Sequence, residues 1–214
     1  MDFLPADLAT YADIHTTPES DMLRRLNRDT HAHVLSPRML SGHMQGRLLA
    51  IISQMIQPRR ILEIGTYTGY SALCLAEGLV ADGRLFTIDK NEELETIARQ
   101  YWSESLHAHQ IDYRPGEATE VLKTLTDEVF DLVFIDADKE NYALYYDLVF
   151  DQVRPGGFIL ADNVLWSGKV TQPLKSNDYA TMAVMAFNRK IHDDPRVDNV
   201  LLPVRDGIMI ARKR

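Results

Sequence analysis

Basic residues are the minority among the charges: 23 Lys and Arg stand against 31 Asp and Glu in 214 residues, a net charge of −8. Proteins that grip a phosphate backbone along its length carry a basic footprint, so this balance argues against broad nucleic-acid binding. The clusters Arg24-Arg25-Arg28 and Arg212-Lys213-Arg214 leave room for a local polyanion contact; a solvated helix face and a chain end are the plainer readings. Cysteine occurs once, at Cys74, which excludes an intrachain disulfide and fits a reducing cytoplasm. Set in an apolar helical pattern, that thiol reads as a small core residue. No stretch approaches the roughly 18 consecutive apolar residues a spanning helix needs, so no membrane span is expected. The opening "MDFLPADLATYADIHT" carries acids where an export signal needs bases, which also predicts a cytoplasmic protein. The histidines show no zinc spacing, and the dinucleotide fingerprint G-x-G-x-x-G is absent.

The length suits one α/β domain with a sizeable core. Residues 1 to about 57 read as helical throughout, punctuated by Pro5, Pro18 and Pro37, with "GHMQGRLLAIISQMI" the most clearly amphipathic run. From Arg59 the pattern alternates. "RRILEIG", "GRLFTID", "IDYRPG", "DLVFID" and "GGFILAD" read as strands separated by helical segments such as "YSALCLAEGLV", "EATEVLKTL" and "KENYALYYDLVFDQV". Two closing strands, "VDNVLLPV" and "GIMIAR", are joined by Arg205-Asp206 as a hairpin. The expected fold is a doubly wound, mostly parallel seven-stranded sheet with an antiparallel C-terminal strand. It forms one domain over 1–214, with a helical extension at 1–57 and a core at 58–214. Ligands bind such sheets outside the C-terminal strand ends.

Two strand ends carry unusual chemistry. After the first strand, "EIGTYTGYSALCLA" spaces Gly65 and Gly69 as G-x-x-x-G, which allows a tight turn and close approach of a ligand. Glu63, just before that turn, would repel phosphates and suits a cationic or amino-bearing ligand. Asp89 ends the second strand, where an acid can accept both hydroxyls of a ribose; helix capping is the other reading, and Asn91 serves it equally well. Further on, "FDLVFIDADKENY" passes from an apolar strand straight into Asp136, Asp138, Lys139 and Glu140. The neighbouring strand end "ILADNVLW" supplies Asp162 and Asn163. If the two strands are parallel neighbours, Asp136 faces Asp162 and Asn163. Such a hard oxygen set suits Mg²⁺, Ca²⁺ or Mn²⁺.

The blocks "ILEIGTYTGYSALCLA", "TIDKN", "PGEATEVL", "FDLVFIDADKENY", "VRPGGFILADNVLWSGKV" and "LPVRDGIMIARK", in this order, resemble the cation-dependent, S-adenosylmethionine-dependent O-methyltransferases, the caffeoyl-CoA and catechol enzymes among them. The resemblance runs from about Leu40 to Ala211 and implies a Rossmann-like fold. It also implies a cofactor site in which Glu63 and Gly65, with Ser41 and Ser71 close by, hold the amino-acid end. In that site Asp89 takes the ribose, Ala118 lies against adenine, and Asp136 and Asp138 make further contacts. Asp136, Asp162 and Asn163 correspond to the family's metal ligands, and Lys139 to its general base.

The segment "NVLWSGKVTQPLKSNDY" is the expected lid over the acceptor, with Trp166, Met39, Leu40 and Tyr179 as candidate walls and Asp206 near the hairpin. It departs from the plant pattern: it is shorter and offers chiefly Lys169, Lys175 and Tyr179, which favours a free catechol-like phenol over a CoA thioester. The resemblance further implies a homodimer. A hydroxylated uridine in tRNA is the alternative acceptor, and an NAD-dependent oxidoreductase the rival enzyme class.

Overall fold

The computed structural model describes residues 4–214, so the first three residues of the expected helical extension, and the start of the segment read for an export signal, lie outside the described residues. Seven strands form one sheet in the order β3-β2-β1-β4-β5-β7-β6. They are β1 (Arg60–Ile64), β2 (Arg84–Asp89), β3 (Ile111–Pro115), β4 (Phe130–Ile135), β5 (Val153–Asp162), β6 (Val197–Leu202) and β7 (Ile208–Lys213). β7 runs antiparallel to both β5 and β6, and every other pairing is parallel. The antiparallel strand is thus inserted between β5 and β6, and not added at the sheet edge.

Strand order grows outward from β1 in one direction through β2 and β3, and in the other through β4 and β5. The chain reverses its winding between β1 and β4, which opens a crevice at their C-terminal ends. Register decides what meets there. Ile64 pairs with Ile135 and Ile135 with Ala161, so Gly65, Asp136 and Asp162 follow one another along a single edge.

Helices cover both faces, as a parallel sheet requires. α2 (Asp21–His33), α3 (Gly42–Ile56), α4 (Tyr70–Ala76) and α5 (Glu95–Trp102) pack on the face that presents Ile61, Leu85, Leu132, Phe134 and Leu160. On the opposite face α7 (Tyr142–Phe150) and α8 (Tyr179–Asp193) meet Leu62, Ile64, Val133, Ile135 and Ala161. The period of two along β1 puts Glu63 on the same side as Ile61, beneath α4. Cys74 is buried in α4 and burial pushes its thiol up to about 12, which fits the core reading.

The N-terminal region is less continuous than its periodicity predicts. α1 (Ala6–Ile14), α2 and α3 are separated by breaks at 15–20 and 34–41. Pro18 and Pro37 lie in these breaks, and Ser36 is left-handed with φ +58°. The second break forms part of the cleft wall. α6 (Ala118–Val121) is a short helix followed by a 3-10 turn, where the sequence suggests one continuous helix. The final hairpin turns through residues 203–207, longer than the Arg205-Asp206 junction expected. Among the described residues no helix is long and apolar enough to cross a membrane.

Candidate active site

The sheet edge opens into a cleft of about 1620 Å³, walled by the ends of β1, β2, β4 and β5, by the 34–41 break and by the β6–β7 turn. Ser41, Gly65, Ser71, Asp89, Ala118, Asp136, Asp138, Lys139, Asp162, Asn163, Trp166 and Met39 all line it. Residues from six separate segments therefore reach one cavity.

On the β1–β2 side the backbone does much of the work. Gly65 has φ +104°, and a Cβ there would lie 1.9 Å from the Asp136 carbonyl oxygen, so only glycine lets the turn pass over the end of β4. Asp89 accepts hydrogen bonds from the Thr66 and Tyr67 N–H groups at 3.0 and 2.7 Å, and from Asn91 N–H at 2.8 Å. It holds the glycine turn in place while lining the cleft. Asn91 provides the helix cap by accepting from Glu93 N–H, which removes the capping alternative for Asp89.

Glu63 differs from its expected placement. It is completely buried beneath the turn and is absent from the cleft wall, because β1 alternation directs it under α4. One oxygen accepts from the Thr87 hydroxyl at 2.5 Å; the other, Oε1, has no hydrogen-bond partner. Burial pushes this carboxyl up to about 8, against the pull of the Ser71 and Thr87 hydroxyls. Ser71, whose hydroxyl acts on Glu63, does line the cleft.

On the β4–β5 side the charges are concentrated. Lys139 opens a 3-10 turn directly after β4, and its Nζ donates to Asp136 Oδ1 at 3.0 Å and to the Tyr142 hydroxyl. That hydroxyl in turn donates to the Asp162 carbonyl at 3.1 Å. Asp162 is 3% exposed. Its Oδ2 accepts from Gln45 Nε2 at 2.7 Å and its Oδ1 from Asn163 N–H at 2.8 Å. Burial and the nearby Asp136 charge push the Asp162 carboxyl up to about 7, while Gln45, Lys139 and the Asn163 N–H act the other way. Asn163 is left-handed with φ +57°, a conformation that asparagine tolerates better than most residues.

The wall beyond these strand ends is mixed. Trp166 lines the cleft with its ring centroid 6.0 Å from Lys139 Nζ, and its indole N–H has no partner. Trp166, Ser167 and Gly168 all have positive φ, and the Ser167 N–H is held by the Asp206 carboxylate. Asp206 and Leu40 line the cleft as well. Tyr179 does not: it is 64% exposed at the start of α8, and Ala180 reaches the wall in its place. Lys169 lines the cleft but is paired with Asp178 at 3.4 Å, and Lys175 is exposed away from the wall. Sequence reading missed Gln45, Tyr142 and Arg205. Gln45 had a faint signal, a polar residue on the apolar face of α3 shared with Leu49 and Ser53.

A family profile described as O-methyltransferase matches residues 13–214. The caffeoyl-CoA O-methyltransferase of Mesembryanthemum crystallinum is 38% identical over 185 residues, spanning 82% of this chain and 73% of that one. Among solved structures, the O-methyltransferase from Bacillus cereus in complex with SAH superimposes with a TM-score of 0.89 at 31% identity, covering 97% of both chains. The O-methyltransferase TomG from Streptomyces achromogenes, in complex with SAM, gives 0.88 at 30% identity over 97% of this chain and 96% of that one. A sheet that winds outward from β1, a glycine turn fixed by Asp89 and a match over nearly the whole length agree: the chain belongs to the O-methyltransferase family and is an S-adenosylmethionine-dependent O-methyltransferase of the caffeoyl-CoA O-methyltransferase type.

Proposed function

We propose that this enzyme methylates one hydroxyl of a small catechol-like acceptor and that the reaction depends on a divalent cation held by Asp136, Asp162 and Asn163. The observation that carries the reading is the convergence of two carboxylates, one of them almost fully buried, an amide and a lysine at adjacent strand ends. Among the described residues no three His, Cys, Asp or Glu side chains group to hold a metal, so the set reaches three donors through the Asn163 amide. Its chemistry fits the cation: all three donors are hard oxygens, and the repulsion between Asp136 and the buried Asp162 is what a dication would relieve. When bound, such an ion supplies Lewis-acid stabilisation of a deprotonated acceptor hydroxyl.

The chain's own residues do the rest. As the neutral amine, the form a neighbouring dication favours, Lys139 would accept the acceptor's proton at Nζ, held in place by Asp136 and by the Tyr142 hydroxyl. Gly65, Ser41 and Ser71 would hold the cofactor's amino-acid end, with Glu63 acting from below through Ser71. Asp89 receives the ribose, Ala118 flanks the adenine, and Asp138 closes that side, its own carboxylate fixed by the Tyr145 hydroxyl at 2.7 Å. When bound, the cofactor would supply the methyl group, and the site's residues would chiefly contribute its alignment with the acceptor oxygen. Because the 34–41 break and α3 both reach the site, residues 1–57 work as part of one domain with 58–214.

Trp166 and Met39 flank the acceptor. The relatives' name raises a CoA ester as a second reading, but Lys169 is already paired and Lys175 lies off the wall, which favours the free phenol. The relatives give no support to a tRNA acceptor. A screen of catechol, caffeate and caffeoyl-CoA with labelled S-adenosylmethionine, with and without EDTA, tests both parts. Cation-dependent labelling of the free phenols supports the reading; labelling that ignores EDTA, or that is confined to the CoA ester, contradicts it.

A further inference from the structure

Gln45 lies on α3, far in sequence from the strand ends, yet its side chain is 1% exposed and sits against Asp162. The helix that carries it packs close against α4. A Cβ on the next residue, Gly46, would lie 2.6 Å from the Tyr70 ring and 2.9 Å from Cys74 Sγ. The amide is held at both ends. Nε2 donates to Asp162 Oδ2 at 2.7 Å, and Oε1 accepts from Arg205 Nη1 at 3.0 Å. Arg205 also donates to the Leu40 carbonyl at 3.2 Å, which anchors the guanidinium to the 34–41 break.

This arrangement has only one sense. Rotating the amide by half a turn would set its oxygen against the Asp162 carboxylate and its NH₂ against the guanidinium, two repulsive contacts in a buried place. Arg205 therefore dictates which way Gln45 points. With Gln45 on one oxygen and the Asn163 N–H on the other, the plane of the Asp162 carboxylate is fixed by one donor on each side. Each oxygen keeps a free lone pair.

We propose that Gln45, oriented by Arg205, is a positioning residue that presents the Asp162 carboxylate to the divalent cation. This rests on the metal reading given above. Arg205 and Asp206 are neighbours on one turn, and Asp206 holds the lid at the Ser167 N–H and, through its carbonyl, at the Leu165 N–H at 2.8 Å. The β6–β7 turn thereby ties the acceptor lid to the orientation of Asp162.

The test uses the full-length enzyme with SAH bound and titrates Mn²⁺ calorimetrically into wild type, Gln45→Met, Arg205→Met, the double variant and Asp162→Asn. Partners that orient metal ligands are worth about 10- to 100-fold in metal affinity. Gln45→Met is expected to weaken Mn²⁺ by that factor while leaving the SAH Kd within about twofold, since the amide touches the carboxylate and not the cofactor side. Its kcat should recover in large part at saturating Mn²⁺. Arg205→Met should show a smaller loss in the same direction, and the double variant should be no worse than Gln45→Met, because Arg205 acts through the amide. Loss of Mn²⁺ affinity in Asp162→Asn but not in Gln45→Met overturns the positioning role alone. Unchanged affinity in both sinks the metal reading and this proposal with it. A parallel loss of SAH binding in Gln45→Met would show a general structural defect and also overturn it.

Discussion

Glu63 and Asp162 are both acids buried at strand ends of one sheet, and they are handled in opposite ways. Glu63 has hydroxyl neighbours, an orphaned oxygen and no cation; Asp162 has an amide, a backbone N–H and a lysine nearby. Desolvation raises both. The difference is in what is left unsatisfied. Glu63 keeps one oxygen without a partner beneath the turn, whereas both oxygens of Asp162 are held and the residue lines the cleft. One edge thus carries two buried acids, which on the proposed reading serve the methyl donor and the ion that activates the acceptor.

Removing Lys139, the proposed base on the Asp162 side, is the harshest way to break this comparison. Lys139→Ala should lower kcat by about 10²- to 10⁴-fold. SAH affinity, measured by calorimetry, should stay near wild type because the β1–β2 side is untouched. A comparable loss of SAH binding would mean that the two halves are not separable. Gly65→Ala strikes the seam between them. Its Cβ meets the Asp136 carbonyl at 1.9 Å, so the turn must move. A loss of about 3 kcal/mol or more of stability, with SAH binding abolished, is expected in thermal unfolding and titration.

The Glu63 side is sharpened by pH. Its folded-state value of about 8 lies above the ordinary 4.5, so the native state binds the extra proton between those values. Stability of the cofactor-free enzyme should therefore be fully present below the unfolded value and fall as pH rises through about 8, by at most roughly 1.4 kcal/mol per unit. Glu63→Gln should flatten that slope in Tm against pH; an unchanged slope would assign it to other groups. The smallest effect is expected at Tyr179. Tyr179→Ala should change the acceptor KM by less than about twofold, as suits an exposed residue off the wall, whereas Trp166→Ala should raise it severalfold.

Much of this was legible in the residues. The switch from period 3.6 to alternating strands and helices located β1 to β7, and the acids placed straight after apolar strands marked the edge where the cleft opens. What escaped depends on contacts between distant segments. Gln45 meets Asp162 across 117 residues and Arg205 across 160, and no local pattern encodes either pairing. Glu63 does lie in β1 just before the glycine turn, but beneath the turn and off the cleft wall. A single acid in a strand looks the same on paper whether it faces a cleft or lies beneath a helix, and only the packing of α4 over β1 decides. Tyr179 closes the segment read as the lid, which makes it a candidate wall residue on paper; the first turn of α8 instead leaves it in solvent and offers Ala180.

The central claim is that the β4–β5 edge holds a cation the chemistry needs. Methyl transfer from labelled S-adenosylmethionine to catechol, measured after EDTA treatment and again after adding Mg²⁺, tests it most directly. Activity that disappears and returns in the wild type, but never appears in Asp162→Ala despite normal SAH binding, is the expected result. Full activity in the presence of EDTA, or an Asp162→Ala enzyme that turns over like wild type, would contradict it.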